Sequence, residues 1–239
     1  MKVTKLREST LVRSIQPHLT SYIRRCNPDG KNRIRPSPKE RRAFEVLLGL
    51  SNITECIDQL YYSIELLSGF RKSSSHELMN RHDYIVYSIE NVYMRITSVF
   101  DRCLRLSNLV FDIGIPDKEC RESTIIQNVK IKNTTVARTL KDLNRFVSSF
   151  RQVRNEVAHS KCFSDRSLNE MQGFYYLIDA GEPEMKKFQR VFKVEADNYV
   201  KEKKRELLEK VQQLEQHVES YFVAISQRVT GLIEQETRR

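Results

Sequence analysis

The stretch IVYSIENVYMRITSVFDRCLRLSNLV, residues 85–110, decides how this chain folds. Its apolar residues recur at alternating spacings of four and three, the pattern of a helix that is packed along its whole length. The positions on this apolar seam are Ile85, Ile89, Val92, Ile96, Val99, Cys103, Leu106 and Val110. A capping-box pattern at 74–77 is expected to open the helix, and Gly114 with Pro116 to stop it. We therefore place this helix at the centre of the fold.

The rest of the chain also favours helices. It holds only seven Gly and six Pro in 239 residues, and no strand-like alternation is sustained. A capping box at 37–40 predicts a first helix over 38–67. Its expected inward residues are Phe44, Leu47, Leu48, Ile53, Ile57, Leu60 and Ile64. The predicted class is all-α, an up-and-down helical bundle with a long C-terminal helix.

Three segments follow from this pattern. Residues 1–36 are interpreted as a basic N-terminal arm and linker, 37–182 as the helical bundle, and 183–239 as a long C-terminal helix or helix pair. Within the bundle, helices are predicted over 134–158 and again after a cap at Ser167. The last segment has no Gly or Pro between 184 and Gly231, so we expect either a break within 198–204 or one helix that reaches a partner.

The positive charge is concentrated in the arm. Residues 1–42 hold 12 Lys or Arg against three acidic residues, which accounts for +9 of the net +10. Such a segment can contact nucleic-acid phosphates, with Arg24 and Arg25 among the candidates. A solvated, partly disordered tail is the alternative.

The remaining composition excludes several classes. Five Cys without a Cys-x-x-Cys pair indicate reduced thiols rather than a disulfide framework or a zinc site. No apolar run reaches membrane length and no signal peptide is evident, so a cytoplasmic protein with no membrane association is expected. No motif for a metal or a cofactor is present.

A second helical stretch carries the chemistry: RFVSSFRQVRNEVAHSK, residues 145–161. Apolar residues every three or four positions predict one buried stripe. The same helix carries Arg154, Asn155 and His159. A cation, an amide and an imidazole are the groups that hold a phosphodiester and move its protons.

The spacing of Arg154 and His159 poses a geometric problem. Five residues rotate a regular helix by about 500°, which leaves the two side chains about 140° apart, whereas Asn155 and His159 share a face. Either the helix ends between Arg154 and His159, or two copies of the helix line one groove. Arg13 and His18 are also five residues apart, but no Asn follows Arg13 and Pro17 lies between the two residues.

Residues 154–159, RNEVAH, resemble the Arg-Asn-x-x-x-His signature of the HEPN superfamily, whose all-helical domains occur in many metal-independent ribonucleases of toxin–antitoxin and phage-defence systems. A second block, residues 89–115, is similar to the central helix of an uncharacterised bacterial HEPN subfamily. The resemblance covers roughly 76–180 and leaves the two ends of the chain without a counterpart.

The resemblance implies an endoribonuclease that needs no metal or cofactor and acts as a homodimer on RNA, with an antitoxin or defence protein as a further partner. The ribose 2′-hydroxyl would attack the adjacent phosphate and leave a cyclic phosphate. Arg154, Asn155 and His159 would be catalytic: the arginine neutralises phosphate charge, the asparagine orients, and the histidine transfers the proton. Further candidate substrate-binding residues are Arg95, Lys161, Arg24 and Arg25.

Alternatives remain open at this point. Arg154 and Asn155 can instead bond carboxylates of neighbouring helices, with His159 capping its own helix. Arg95 can pair internally with a carboxylate. The protein would then be a non-catalytic nucleotide-binding or protein-interaction module.

Overall fold

The computed structural model describes residues 5–26, 35–70 and 79–235, and the predicted all-α class is confirmed. The α-helices of the described part are α1 (Thr10–Arg25), α2 (Pro38–Leu66), α3 (Arg81–Val110), α4 (Glu122–Ile126), α5 (Thr135–His159), α6 (Arg166–Asp179) and α7 (Gln189–Gln235). Short 3-10 helices cover Lys5–Glu8, Asp117–Glu119 and Pro183–Phe188.

The chain divides into two compact units. Unit 1 comprises Met1–Asp58, Ser98–Val147 and Leu214–Arg239, and unit 2 comprises Gln59–Thr97 and Ser148–Gln213. The core of unit 1 includes Phe100, Cys103, Leu143, Val218 and Phe222. The core of unit 2 includes Ile64, Ile89, Val92, Met171 and Leu207.

The seam of α3 is confirmed, because all eight of its predicted positions are buried. The helix begins at Arg81, later than expected, and the side chain of Asn80 caps it by accepting a hydrogen bond from the Asp83 amide at 3.0 Å. The capping box predicted at 74–77 lies outside the described residues.

The predicted start of α2 is confirmed, since the Ser37 amide donates to the Glu40 carboxylate at 2.8 Å and the Glu40 amide to the Ser37 hydroxyl at 3.3 Å. Two of its expected inward residues were wrong: Phe44 and Leu48 are 51% and 49% exposed. The physical reason is helical phase. Counting back from Ile53 in steps of three and four gives the positions that are buried in their place, Leu50, Val46 and Ala43.

Of the two alternatives predicted for the last segment, the break within 198–204 does not occur, because α7 is continuous over 47 residues. Its buried positions include Val200 and Leu207. Between them lies Lys203, whose side chain is only 13% exposed. Lys203 buries the methylene groups of its side chain, so the apolar seam of α7 continues through 198–204.

The described part of the N-terminal arm contains two helices that were not predicted. Lys5–Glu8 and α1 are helical, and Leu11 and Ile15 are buried. Arg7 forms an ion pair with the buried Asp58 at 2.6 Å. The linker predicted at the end of the arm falls largely on 27–34, outside the described residues.

Candidate functional site

The signature lies in the last turns of α5. This helix begins and ends within one residue of its predicted bounds, and its stripe residues Leu143 and Phe150 are buried. The helix closes where the amides of Ser160 and Lys161 both donate to the Glu156 carbonyl, at 2.8 and 2.9 Å. Because the helix runs through His159 without interruption, it does not end between Arg154 and His159.

One exposed ridge of α5 carries two of the signature residues. Ser148, Gln152, Asn155 and His159 are all exposed, and their spacing of four, three and four places them on one face of the helix. The structure therefore brings Asn155 and His159 together, as expected. It does not bring Arg154 onto that face, because about 140° of helix rotation separates it from His159.

Arg154 is half-buried, and its Nε is buried without a hydrogen-bond partner among the described residues. A buried N–H without a partner is costly and calls for an explanation. Arg102 and Arg228 also have a buried, unbonded Nε. Both guanidinium groups, however, have another contact: Arg102 donates to the Asn52 carbonyl at 3.2 Å, and Arg228 lies 5.7 Å from the Phe111 ring centre.

The signature side chains have no partner among the described residues. Within 5–26, 35–70 and 79–235, no side-chain hydrogen bond, ion pair or ring contact involves Arg154, Asn155 or His159. The carboxylate bonds and the cap that formed the structural alternative are therefore not observed there. The three groups remain available to a ligand or to another chain.

The neighbouring Lys161 is exposed but paired. Its ammonium lies 3.5 Å from the Glu156 carboxylate, which also accepts a hydrogen bond from Gln152 at 3.2 Å. An exposed ion pair of this kind contributes little stability. Lys161 can therefore exchange this partner for a phosphate at small cost, which keeps it a candidate for substrate binding.

Arg95 and the arm arginines occupy other surroundings. Arg95 donates a hydrogen bond to the amide oxygen of Gln59 at 2.5 Å. Arg24 is exposed at the end of α1, and Arg25 forms an ion pair with Glu40. Both arm arginines belong to unit 1, whereas the signature belongs to unit 2.

The loop that follows the signature helix is held by residues that the sequence did not single out as a group. The Phe163 amide donates to the Glu90 carboxylate at 2.7 Å, and the Tyr199 hydroxyl donates to the Asp165 carboxylate at 2.7 Å. Burial and the bond to Asp165 raise the pKa of Tyr199 far above its ordinary value. A lysine inside an apolar seam, at Lys203, was the available sequence signal for this cluster.

A cavity of about 640 Å³ in unit 2 is not lined by the three signature residues. Its walls combine aromatic rings with three carboxylates and two cations. The charged lining residues are Asp83, Asp179, Asp197, Arg81 and Lys193. Because the carboxylates outnumber the cations, and Arg81 already pairs with Asp197, the cavity does not suit a phosphodiester.

Metal binding and membrane insertion are two other classes of function. Within the described residues, no group of three or more His, Cys, Asp or Glu side chains is arranged to hold a metal ion. No described helix is both long and apolar enough to cross a membrane.

Comparison with known proteins identifies the family. The family model described as Cthe2314-like HEPN matches residues 49–226, which include all of α3, α5 and the signature. The searches of curated proteins and of solved structures gave no match. Since the family model covers well over half of the sequence, the chain belongs to the Cthe2314-like HEPN family.

Proposed function

We propose that this protein is a metal-independent endoribonuclease with a catalytic site formed by Arg154, Asn155 and His159. The observation that supports the proposal is that Arg154 has a buried Nε without a hydrogen-bond partner in the described residues, while Asn155 and His159 lie exposed on one face of the same helix. Membership of a HEPN family supports the same assignment.

The proposed reaction is an internal transesterification of RNA. The 2′-oxygen forms a bond to the adjacent phosphorus, the bond from phosphorus to the 5′-oxygen breaks, and a 2′,3′-cyclic phosphate and a 5′-hydroxyl result. One proton leaves the 2′-hydroxyl and one is delivered to the departing oxygen. An imidazole can perform either transfer near neutral pH, which is the role assigned to His159.

The other two residues act on the phosphate. The guanidinium of Arg154 presents two parallel donors to a phosphate and stabilises the charge that develops in the transition state. Asn155, on the same face as His159, orients the phosphate or the imidazole. Since the nucleophile is the 2′-hydroxyl, RNA is the substrate and DNA is not cleaved.

The geometry of α5 favours a site that is shared between two chains. A single helix directs Arg154 and His159 about 140° apart, so one copy does not direct both at one phosphate. In a symmetric dimer, the arginine of one chain can face the histidine of its partner. We therefore include a homodimer in the proposal, with each groove lined by both chains.

The first experiment measures RNA cleavage in excess EDTA. Wild type should cleave, and His159→Ala should lose about 10²- to 10⁴-fold in rate. His18→Ala is a matched control, because Arg13 and His18 repeat the spacing of the signature on α1. A substrate with a 2′-deoxyribose at the cleaved position should resist wild type. Failure of wild type to cleave a broad panel of RNAs contradicts the proposal and favours a binding module.

The second experiment tests the shared site. Chains carrying Arg154→Ala are unfolded and refolded together with chains carrying His159→Ala, so that dimers form at random. If each site takes its arginine and histidine from different chains, half of the dimers contain one intact site, and about a quarter of wild-type activity returns. If both residues come from one chain, the mixture stays as inactive as either variant alone.

The biological setting is part of the proposal. A ribonuclease of this family would serve bacterial defence or a toxin–antitoxin pair, with an antitoxin or defence protein as partner. Induced expression of wild type should then arrest bacterial growth, and His159→Ala expressed to the same level should not. Arrest by both variants would show that the effect does not arise from cleavage.

A further inference from the structure

The loop 160–165 directly follows the signature helix and is fixed at two points. At Phe163, the backbone amide donates to the Glu90 carboxylate of α3 at 2.7 Å, and the ring stacks on Tyr93 with centres 5.4 Å apart. Phe163 is only four residues beyond His159. Four extended residues span at most about 14 Å, so this anchor restricts the end of α5 closely.

The second fixed point is Asp165, whose two oxygens have separate roles. Oδ1 caps α6 by accepting from the Leu168 amide at 3.0 Å. Oδ2 accepts from the Tyr199 hydroxyl of α7 at 2.7 Å, and the Lys203 ammonium lies 3.9 Å from it. The same carboxylate therefore ties the loop to two helices of unit 2.

Lys203 completes this loop anchor, which comprises Glu90, Phe163, Asp165, Tyr199 and Lys203. Its ammonium lies 5.4 Å from the Phe163 ring centre and 5.9 Å from that of Tyr199, and it pairs with Glu206 at 2.9 Å. Apart from the pair with Glu206, the contacts of Lys203 are with the loop residues Phe163 and Asp165 and with Tyr199, which holds the loop.

The composition of the anchor indicates a role beyond stability. Removing a lysine from water is costly, and an apolar residue in the same seam generally stabilises a core at least as well. A charged and hydrogen-bonded group in such a position can specify geometry instead, because its bonds are directional. The segment whose geometry is specified here is the one that leaves the signature.

We propose that Tyr199 and Lys203 are positioning residues for the candidate ribonuclease site: through Asp165 and Phe163 they fix the loop 160–165, and with it the end of α5 that carries His159. This inference rests on the proposed function for its effect on catalysis. Its structural part, the restraint of His159, is tested separately.

The experiment uses the full-length protein with Tyr199→Phe, which removes one hydroxyl and keeps the ring. Tyr176→Phe is the matched control, since Tyr176 is a 73% exposed tyrosine of α6. Three quantities are measured for each: steady-state RNA cleavage, hydrogen exchange of the Phe163 amide, and the NMR signals of the His159 ring.

For Tyr199→Phe we expect kcat to fall about tenfold to a hundredfold, with little change in KM or in the shape of the pH profile. The Phe163 amide should exchange about tenfold faster or more, and the His159 ring signals should shift or broaden. Tyr176→Phe should match wild type in all three. A kcat, an exchange rate and ring signals like those of wild type in folded Tyr199→Phe would overturn the proposal.

Lys203→Met is a second variant, which alters the loop anchor and leaves Tyr199 in place. It keeps the length of the stem and removes the charge, so it should reproduce the faster Phe163 exchange and the lower kcat. If both variants only lower the melting temperature and leave exchange and His159 signals unchanged below it, the anchor is purely structural and the proposal fails. If wild type itself does not cleave RNA, the ribonuclease proposal fails, while the exchange and NMR data still decide whether the anchor restrains His159.

Discussion

The Tyr221 hydroxyl in unit 1 and the signature side chains in unit 2 are polar groups on long helices, but their surroundings differ completely. Tyr221 is fully buried, and its hydroxyl is hydrogen-bonded to the Ser107 hydroxyl at 2.8 Å and to the Cys103 carbonyl at 2.9 Å. Arg154 and His159 have no side-chain partner in the described residues.

Polar groups have different roles in these two regions. A buried polar group must be bonded, because its loss of hydration is otherwise uncompensated. Such a group specifies structure, as Tyr221 does. The exposed Asn155 and His159, which bond to nothing in the described residues, contribute little to folding and remain available to a ligand. Their replacement should therefore alter activity and stability very differently.

The largest expected effect is on activity at the signature. His159→Ala should lower the RNA cleavage rate about 10²- to 10⁴-fold and change the free energy of unfolding by no more than about 0.5 kcal/mol. Urea denaturation and cleavage are measured on the same preparation. A loss of stability above about 2 kcal/mol would remove the distinction between the two regions, because His159 would then be a structural residue.

The largest expected effect on stability is in the core of unit 1. Phe222 is 1% exposed, so Phe222→Ala should lower the free energy of unfolding by about 3–5 kcal/mol through lost burial and a cavity. The adjacent Val223 is 64% exposed, and Val223→Ala should stay within about 0.5 kcal/mol of wild type. Equal losses in the two variants, measured by urea denaturation, would contradict the burial of the α7 seam.

Periodicity was sufficient to predict much of the fold. The helices over 85–110 and 135–159 follow from apolar spacing, because a buried stripe must repeat with the period of the helix. Phe44 and Leu48 were misplaced because they are out of phase with the buried positions Ala43, Val46 and Leu50. The helix α1 was not predicted, since its buried residues Leu11 and Ile15 are few and Pro17 interrupts the pattern.

For the candidate site, sequence identified the residues but not their surroundings. Arg154, Asn155 and His159 form a local pattern, so they can be read from one stretch. The loop anchor joins Glu90 to Phe163 and Asp165 to Tyr199, pairs that are 73 and 34 residues apart. No local spacing predicts such contacts, because they depend on how the helices pack.

Removing the buried Tyr221 hydroxyl should have a smaller effect on the free energy of unfolding. Tyr221→Phe leaves the buried Ser107 hydroxyl without this partner and should cost about 1–3 kcal/mol. The double variant Ser107→Ala with Tyr221→Phe should lose less than the sum of the single variants, because it removes both polar groups. Additive losses would show that the two hydroxyls do not depend on each other, which would weaken the contrast with the signature.

The smallest expected effect is a change of stability with pH, which arises from the hydrogen-bonded Glu40 carboxylate. Hydrogen bonds from the Ser37 amide and hydroxyl, and the nearby Arg25 guanidinium, lower the pKa of Glu40 from its ordinary value of 4.5. A carboxyl whose pKa is lower in the folded than in the unfolded state stabilises the fold above the unfolded value. That contribution is lost as pH falls through the folded value.

Glu40→Gln keeps an acceptor for the capping box but does not titrate. The stability difference between wild type and Glu40→Gln should be constant from about pH 7 down to about pH 5 and should shrink on further acidification. Urea denaturation across this range measures it, with the exposed Glu55→Gln on the same helix as control. A difference that persists unchanged at low pH would mean that the charge of Glu40 contributes nothing. The Glu40 charge would then resemble the signature side chains in contributing nothing to the stability of the fold.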